Sequence, residues 1–182
     1  MPRSVERKNP RMKQWDYSSA GLYFVTICIK NREYVFGDVI DGRMVLNDLG
    51  KLAHESWQEI PIHFPDIEID QFVIMPNHVH GIVVIENIDD FIVGDRYICP
   101  LQQNPSQKKD IKRNVMKLPT IIGTFKAVVT REHNKKELDS FQWQRSFHDH
   151  IIRNERELRN IQNYIHFNPD NWRDDDFFVQ SS

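Results

Sequence analysis

Met75-Pro76-Asn77-His78-Val79-His80-Gly81-Ile82-Val83-Val84-Ile85 is the stretch on which the reading of this chain turns. Its second half is almost wholly β-branched and apolar, the composition of a strand buried on both faces. Side chains alternate along a strand, so His78 and His80 project from one face, close enough to grip a single cation. Imidazole is a common metal ligand. The pair alone decides little: the chain has eight histidines in 182 residues, and a second such pair, His148-Asp149-His150, lies downstream.

Working outward, Ile67 to Met75 forms a preceding strand, joined to the histidine strand by Pro76-Asn77. Proline cannot adopt the positive φ of a primed turn, so this connection is not of the simplest hairpin type. Upstream, Leu22 to Ile29 is apolar on both faces and reads as a central strand. A hairpin follows, Val39-Ile40 and Met44-Val45-Leu46 about the turn Asp41-Gly42. Asp48 to Glu59 carries an apolar stripe of Leu49, Leu52, Ala53 and Trp57 and is stopped by Pro61, which predicts a helix.

Downstream, residues 87–117 are polar without periodicity and read as a long insertion. A helix opens near Pro119-Thr120 and runs to about Lys136. Ile121, Phe125, Val128 and Val129 form its apolar face, and Lys126 and Arg131 lie on a basic one. The last strand falls within Gln142 to Ile152. Asn154, with Glu157 three residues on, opens a final helix that Pro169 ends. Without the first hairpin and the last helix the order is β-α-β-β-α-β. That is the α+β ferredoxin-like unit, one antiparallel sheet with two helices on one face. The histidine strand is central in that topology.

Composition sets the class. The chain has 40% hydrophobic and 27% charged residues with a net charge of −2, as expected of one globular domain spanning 1–182. Basic residues cluster locally, at Lys108, Lys109, Lys112 and Arg113, while acid collects at Asp174-Asp175-Asp176. Two cysteines without metal spacing, a polar basic N-terminus and no long apolar run predict a cytoplasmic protein without a membrane span.

On the final helix Leu158, Ile161 and Ile165 make the buried stripe. Tyr164 and Asn168 lie one turn apart on its flank, so a phenol and a carboxamide are presented together. Helical geometry alone favours a core-edge tyrosine and a capping asparagine.

Three motifs stand in order: Met75 to Gly81, then Trp143-Gln144-Arg145-Ser146-Phe147-His148-Asp149-His150-Ile151-Ile152-Arg153-Asn154, then Tyr164-Ile165-His166-Phe167-Asn168-Pro169 with Trp172. Together they resemble the REP-associated tyrosine transposases of the HUH single-tyrosine superfamily, over roughly residues 15 to 172. The resemblance implies a metal-dependent endonuclease and strand transferase acting on single-stranded DNA near hairpins through a 5′-phosphotyrosine. Under it Tyr164 is the nucleophile, and His78, His80 and Asn168 hold the metal. Asn168 stands where related transposases have glutamine. The ion expected is Mg²⁺ or Mn²⁺. His150 is either an active-site neighbour or a structural residue.

DNA phosphates are expected at Lys108, Lys109, Lys112, Arg113, Lys126 and Arg131, with Trp143 or Phe147 available to stack a base. The partner implied is single-stranded or hairpin DNA, which also implies a nucleoid-associated location, with monomer and homodimer both open. The alternative is a catalytically silent hairpin-DNA-binding regulator of the same fold.

Overall fold

The computed structural model describes residues 20–85, 118–135 and 141–179. Among the described residues six strands and four α-helices run in the order β1 (Gly21–Cys28), β2 (Gly37–Ile40), β3 (Arg43–Leu46), α1 (Asp48–Gln58), α2 (Ile60–His63), β4 (Ile67–Met75), β5 (His78–Ile85), α3 (Leu118–Asn134), β6 (His148–Ile152) and α4 (Glu155–His166). The main sheet has the order β4-β5-β1-β6, antiparallel throughout, with β5 and β1 at its centre. This is the ferredoxin-like arrangement expected, and the most apolar strands take the positions buried on both faces. Strands β2 and β3 form a separate hairpin. Its Asp41-Gly42 turn has positive φ at both residues, as a primed two-residue turn requires.

The alternation of side chains divides the core in two. Tyr23, Val25 and Ile27 of β1 and Val79 and Val83 of β5 point to one face. There they pack with Leu49, Ala53 and Trp57 of α1 and with Ile121, Ile122, Phe125 and Val129 of α3. Ile82 and Ile152 point the other way and pack with Ile165 of α4, flanked by Leu22, Phe24, Val73, Leu158 and Ile161. The sheet is thus sandwiched between the α1/α3 layer and α4.

Helix α4 is fixed at two points besides its apolar stripe. Asn154 accepts the Glu157 N–H at 2.9 Å, and the Glu157 carboxylate turns back to the N–H of Arg153 at 2.7 Å rather than to that of Asn154. Strand β4 carries a bulge between Ile69 and Phe72, and within it Asp70 accepts a 2.7 Å hydrogen bond from Gln162 of α4. The helix ends at His166, so Asn168 lies in the turn beyond it instead of in the last helical turn.

The β4–β5 connection has only two residues, Pro76 and Asn77, with neither at positive φ. Neighbouring chain supports it: the Pro76 carbonyl accepts from the N–H groups of Val35 and Phe36, and the Asn77 carbonyl accepts from Ile29 N–H. The last strand begins only at His148, after a bend at Arg145 and Ser146 that Lys126 anchors through the carbonyls of Gln144 and Ser146. Among the described residues no helix is long and apolar enough to cross a membrane. The polar insertion expected at 87–117 lies outside the described residues.

Candidate metal and tyrosine site

Strand alternation sends His78 and His80 to the α4 face, where both rings are buried and their centroids lie 4.4 Å apart. The register sets Thr26 opposite His80 and Cys28 opposite His78. Thr26 Oγ1 lies 2.9 Å from His80 Nδ1, and Asn77 Oδ1 lies 2.8 Å from His78 Nδ1. The Asn77 amide nitrogen donates to the carbonyls of Arg32 and Phe177, which leaves its oxygen to accept. His78 therefore carries its proton on Nδ1, and its Nε2 is a bare lone pair.

That Nε2 is buried and has no hydrogen-bond partner. An unpartnered buried acceptor is costly in a closed protein, and a cation is one way to satisfy it. Burial above all keeps both imidazoles neutral, as ligands must be. His78 is pushed down to about 3, and His80 well below the ordinary histidine value by burial and then by His78. Burial pushes the Cys28 thiol up to about 11, so it offers no thiolate beside His78.

Helix α4 brings the other two residues. The Tyr164 hydroxyl lies 3.1 Å from His80 Nε2, and its ring meets Phe24 edge-on, Phe24 in turn stacking on His80. Asn168 is buried, and its Nδ2 donates to Asp175 Oδ2 at 2.8 Å. With the nitrogen spoken for, Asn168 Oδ1 is the second buried atom of the site without a partner. All four residues singled out from the sequence, His78, His80, Tyr164 and Asn168, thus gather on one face of one chain.

Asp175 was not among them. Its carboxylate is within reach of the Tyr164 hydroxyl at 3.4 Å, and one ligand atom each from His78, His80 and Asp175 lie within 4.8 Å of one another. Tyr164 is pushed up to about 12, first by burial and then by the Asp175 charge and its hydrogen bond. The only hint in the sequence was the acidic run Asp174-Asp175-Asp176, which reads equally well as solvated surface.

His150 shares the sheet face of Phe24, its partner in the register, but its Nε2 lies 2.5 Å from Glu157 Oε1 at the start of α4. The Glu157 carboxyl is held low by the Arg153 N–H and then by His150. Of the residues expected on DNA, Lys126 and Arg131 stand on α3, beyond the opposite face of the sheet from Tyr164. Lys126 donates to the carbonyls of Gln144 and Ser146, and Arg131 pairs with Glu132. Both line a concavity of about 750 Å³ together with Thr130, Asn134, Lys135 and Trp143. Phe147 belongs to the main core and is too buried to stack a base. Lys108, Lys109, Lys112 and Arg113 lie outside the described residues.

No family model matches the chain. An uncharacterised protein of Haemophilus influenzae is 41% identical over 174 residues, covering 95% of this chain and 93% of that protein. A second protein of the same organism, named for the REP-associated tyrosine transposases, is 25% identical over 157 residues, covering 85% of this chain and 73% of its own length. A solved structure of a REP-associated tyrosine transposase bound to a REP hairpin superposes with a TM-score of 0.58. It is 19% identical and covers 89% of this chain and 74% of that one, so the two share a fold.

Proposed function

We propose that the chain, which is similar to REP-associated tyrosine transposases in sequence and shares their fold, is a metal-dependent endonuclease and strand transferase for single-stranded DNA. It cleaves beside a DNA hairpin, a partner consistent with the REP hairpin bound by its structural neighbour. The observation that carries this reading is the 3.1 Å approach of the Tyr164 hydroxyl to His80, beside the unpartnered ligand atoms of His78 and Asn168. A structural tyrosine has no need of two bare acceptors at its side.

The donor set fits a divalent cation, Mg²⁺ or Mn²⁺, held by His78, His80 and Asn168. Such an ion supplies Lewis acidity at the scissile phosphate. Asn77 and Thr26 keep the two rings turned so that each Nε2 faces the site. Tyr164 Oη forms the new bond to phosphorus, and the P–O3′ bond breaks. The 5′-phosphate stays on the tyrosine, and the departing oxygen leaves as a 3′-OH. Tyr164 is 44% exposed, so its proton has a route to water. The negative Asp175 carboxylate opposes that loss until its charge is balanced. The bond energy is kept in the phosphotyrosine, and a 3′-OH can reverse the step at the same or another strand. The Tyr164 hydroxyl approaches a histidine of its own chain, which supports cleavage in cis.

The test is incubation with Mn²⁺ and an oligonucleotide carrying a hairpin and a 5′ single-stranded flank. Cleavage with a denaturant-resistant protein–DNA adduct is the expected result. A mobility shift without cleavage marks a silent hairpin-binding regulator and overturns the catalytic reading.

A further inference from the structure

We propose that Asp175 is itself a ligand of this cation centre, making the donor set two imidazoles and a carboxylate with the Asn168 amide beside them. The inference rests on the metal-dependent reading above and changes its chemistry. Two imidazoles and an amide leave an ion's charge intact and bind a hard cation weakly, whereas a carboxylate supplies the charged oxygen that Mg²⁺ and Mn²⁺ favour.

Three observations converge on Asp175. The first is distance. Ligand atoms of His78, His80 and Asp175 lie within 4.8 Å of one another, about twice a metal–ligand bond of ~2.1–2.4 Å. The second is the pair of buried, unpartnered acceptors, His78 Nε2 and Asn168 Oδ1, which a cation would satisfy. The third is that the carboxylate is held in place. Its Oδ1 accepts the Phe177 N–H at 2.7 Å, and its Oδ2 accepts Asn168 Nδ2.

The segment bearing Asp175 is also docked rather than loose. The Phe177 ring lies 4.5 Å from that of His78, and the Phe177 carbonyl accepts from Asn77 Nδ2. Arg32 donates to the Asp176 carbonyl, and the Tyr34 hydroxyl bonds both the N–H and the carbonyl of Val179. One amide, Asn77, therefore orients His78 with its oxygen and places the Asp175 turn with its nitrogen. Supporting partners of this kind are what fix ligand geometry at metal centres.

Calorimetric titration of the full chain with Mn²⁺ tests the assignment. Asp175→Asn loses the charge and keeps a single acceptor oxygen, for either the Phe177 N–H or the Asn168 amide and Tyr164 hydroxyl, so the spectroscopic measurement on the parent chain below separates a ligand from a positioning residue. Mn²⁺ affinity should fall at least tenfold in Asp175→Asn and stay within about twofold in Asp176→Asn, which removes an exposed neighbouring charge. Affinity in Asp175→Asn within twofold of the parent overturns the proposal. A parent chain that binds no Mn²⁺ overturns the metal-dependent reading itself, and this inference with it.

A second measurement needs no variant. In carboxyl-¹³C spectra of the parent chain, the Asp175 resonance should move with Mg²⁺ occupancy while that of Asp176 stays. An unmoved Asp175 resonance at saturating Mg²⁺ overturns the proposal even if the variant fails to fold.

Discussion

The hydroxyl of Tyr164 sits 3.1 Å from Nε2 of His80, across 84 positions of chain. Helix α4 lies on the sheet face to which strand alternation sends both histidines, and the bulge at Asp70 fixes where along that face it rests. Removing only the hydroxyl by Tyr164→Phe should abolish the covalent adduct while hairpin affinity stays within about threefold, because the ring still packs against Phe24. An adduct that persists on denaturing gels excludes Tyr164 as the nucleophile.

Asn77 joins three parts of the fold through one buried side chain. Asn77→Ala deprives His78 Nδ1 and the carbonyls of Arg32 and Phe177 of their partners. The expected loss is about 3 kcal/mol, from buried polar groups left unpaired. Urea unfolding would register it as a lowered midpoint at unchanged slope.

Gly81 follows the histidine pair for a steric reason. A Cβ there would lie 2.4 Å from Cζ2 and 2.9 Å from Cε2 of the fully buried Trp57 indole, with Phe72 Cβ at 3.2 Å. Gly81→Ala should destabilise by about 3 kcal/mol through overpacking between β5 and α1. Trp57→Phe in the same chain should recover part of that loss, which thermal unfolding can read.

Acid should destabilise the metal-free protein through the buried imidazoles. His78 and His80 titrate far lower folded than unfolded, so below about pH 6.5 the unfolded chain takes up protons that the folded chain refuses. Their contribution is fully present above that pH and is lost as pH falls below it, for His78 down to about 3. Between pH 7 and pH 5 the loss from His78 should be about 2 kcal/mol, and His80 acts in the same direction. Denaturation in EDTA at the two pH values measures it, and a His78→Gln, His80→Gln double variant should flatten the difference.

If α3 carries DNA phosphates, the bound strand must reach the opposite face of the sheet from Tyr164. Arg131→Ala should then weaken hairpin binding and lower the slope of log affinity against log salt by about 1. An unchanged slope places the phosphate contacts elsewhere on the molecule.

The ferredoxin-like order was legible because local periodicity carried it: alternating or doubly apolar strands, amphipathic helices and the Asp41-Gly42 turn each declare themselves within a few residues. The His78–His80 face and the shared flank of Tyr164 and Asn168 were legible for the same reason, since each follows from the period of its own element. Element ends were less so. Helix α4 stops at His166, and β6 begins at His148, where turns and anchoring side chains rather than pattern set the limits.

Sequence by itself determined which residues could share a face. Only the tertiary structure decided which faces meet. Thr26 opposite His80 is a matter of strand register, and Asp175 is singled out from Asp174 and Asp176 by how the chain beyond α4 docks against Asn77, Arg32 and Tyr34. Those contacts join segments far apart in the chain, and no local period encodes them. Burial has the same origin: a histidine becomes a neutral, bare ligand only once other elements close over it.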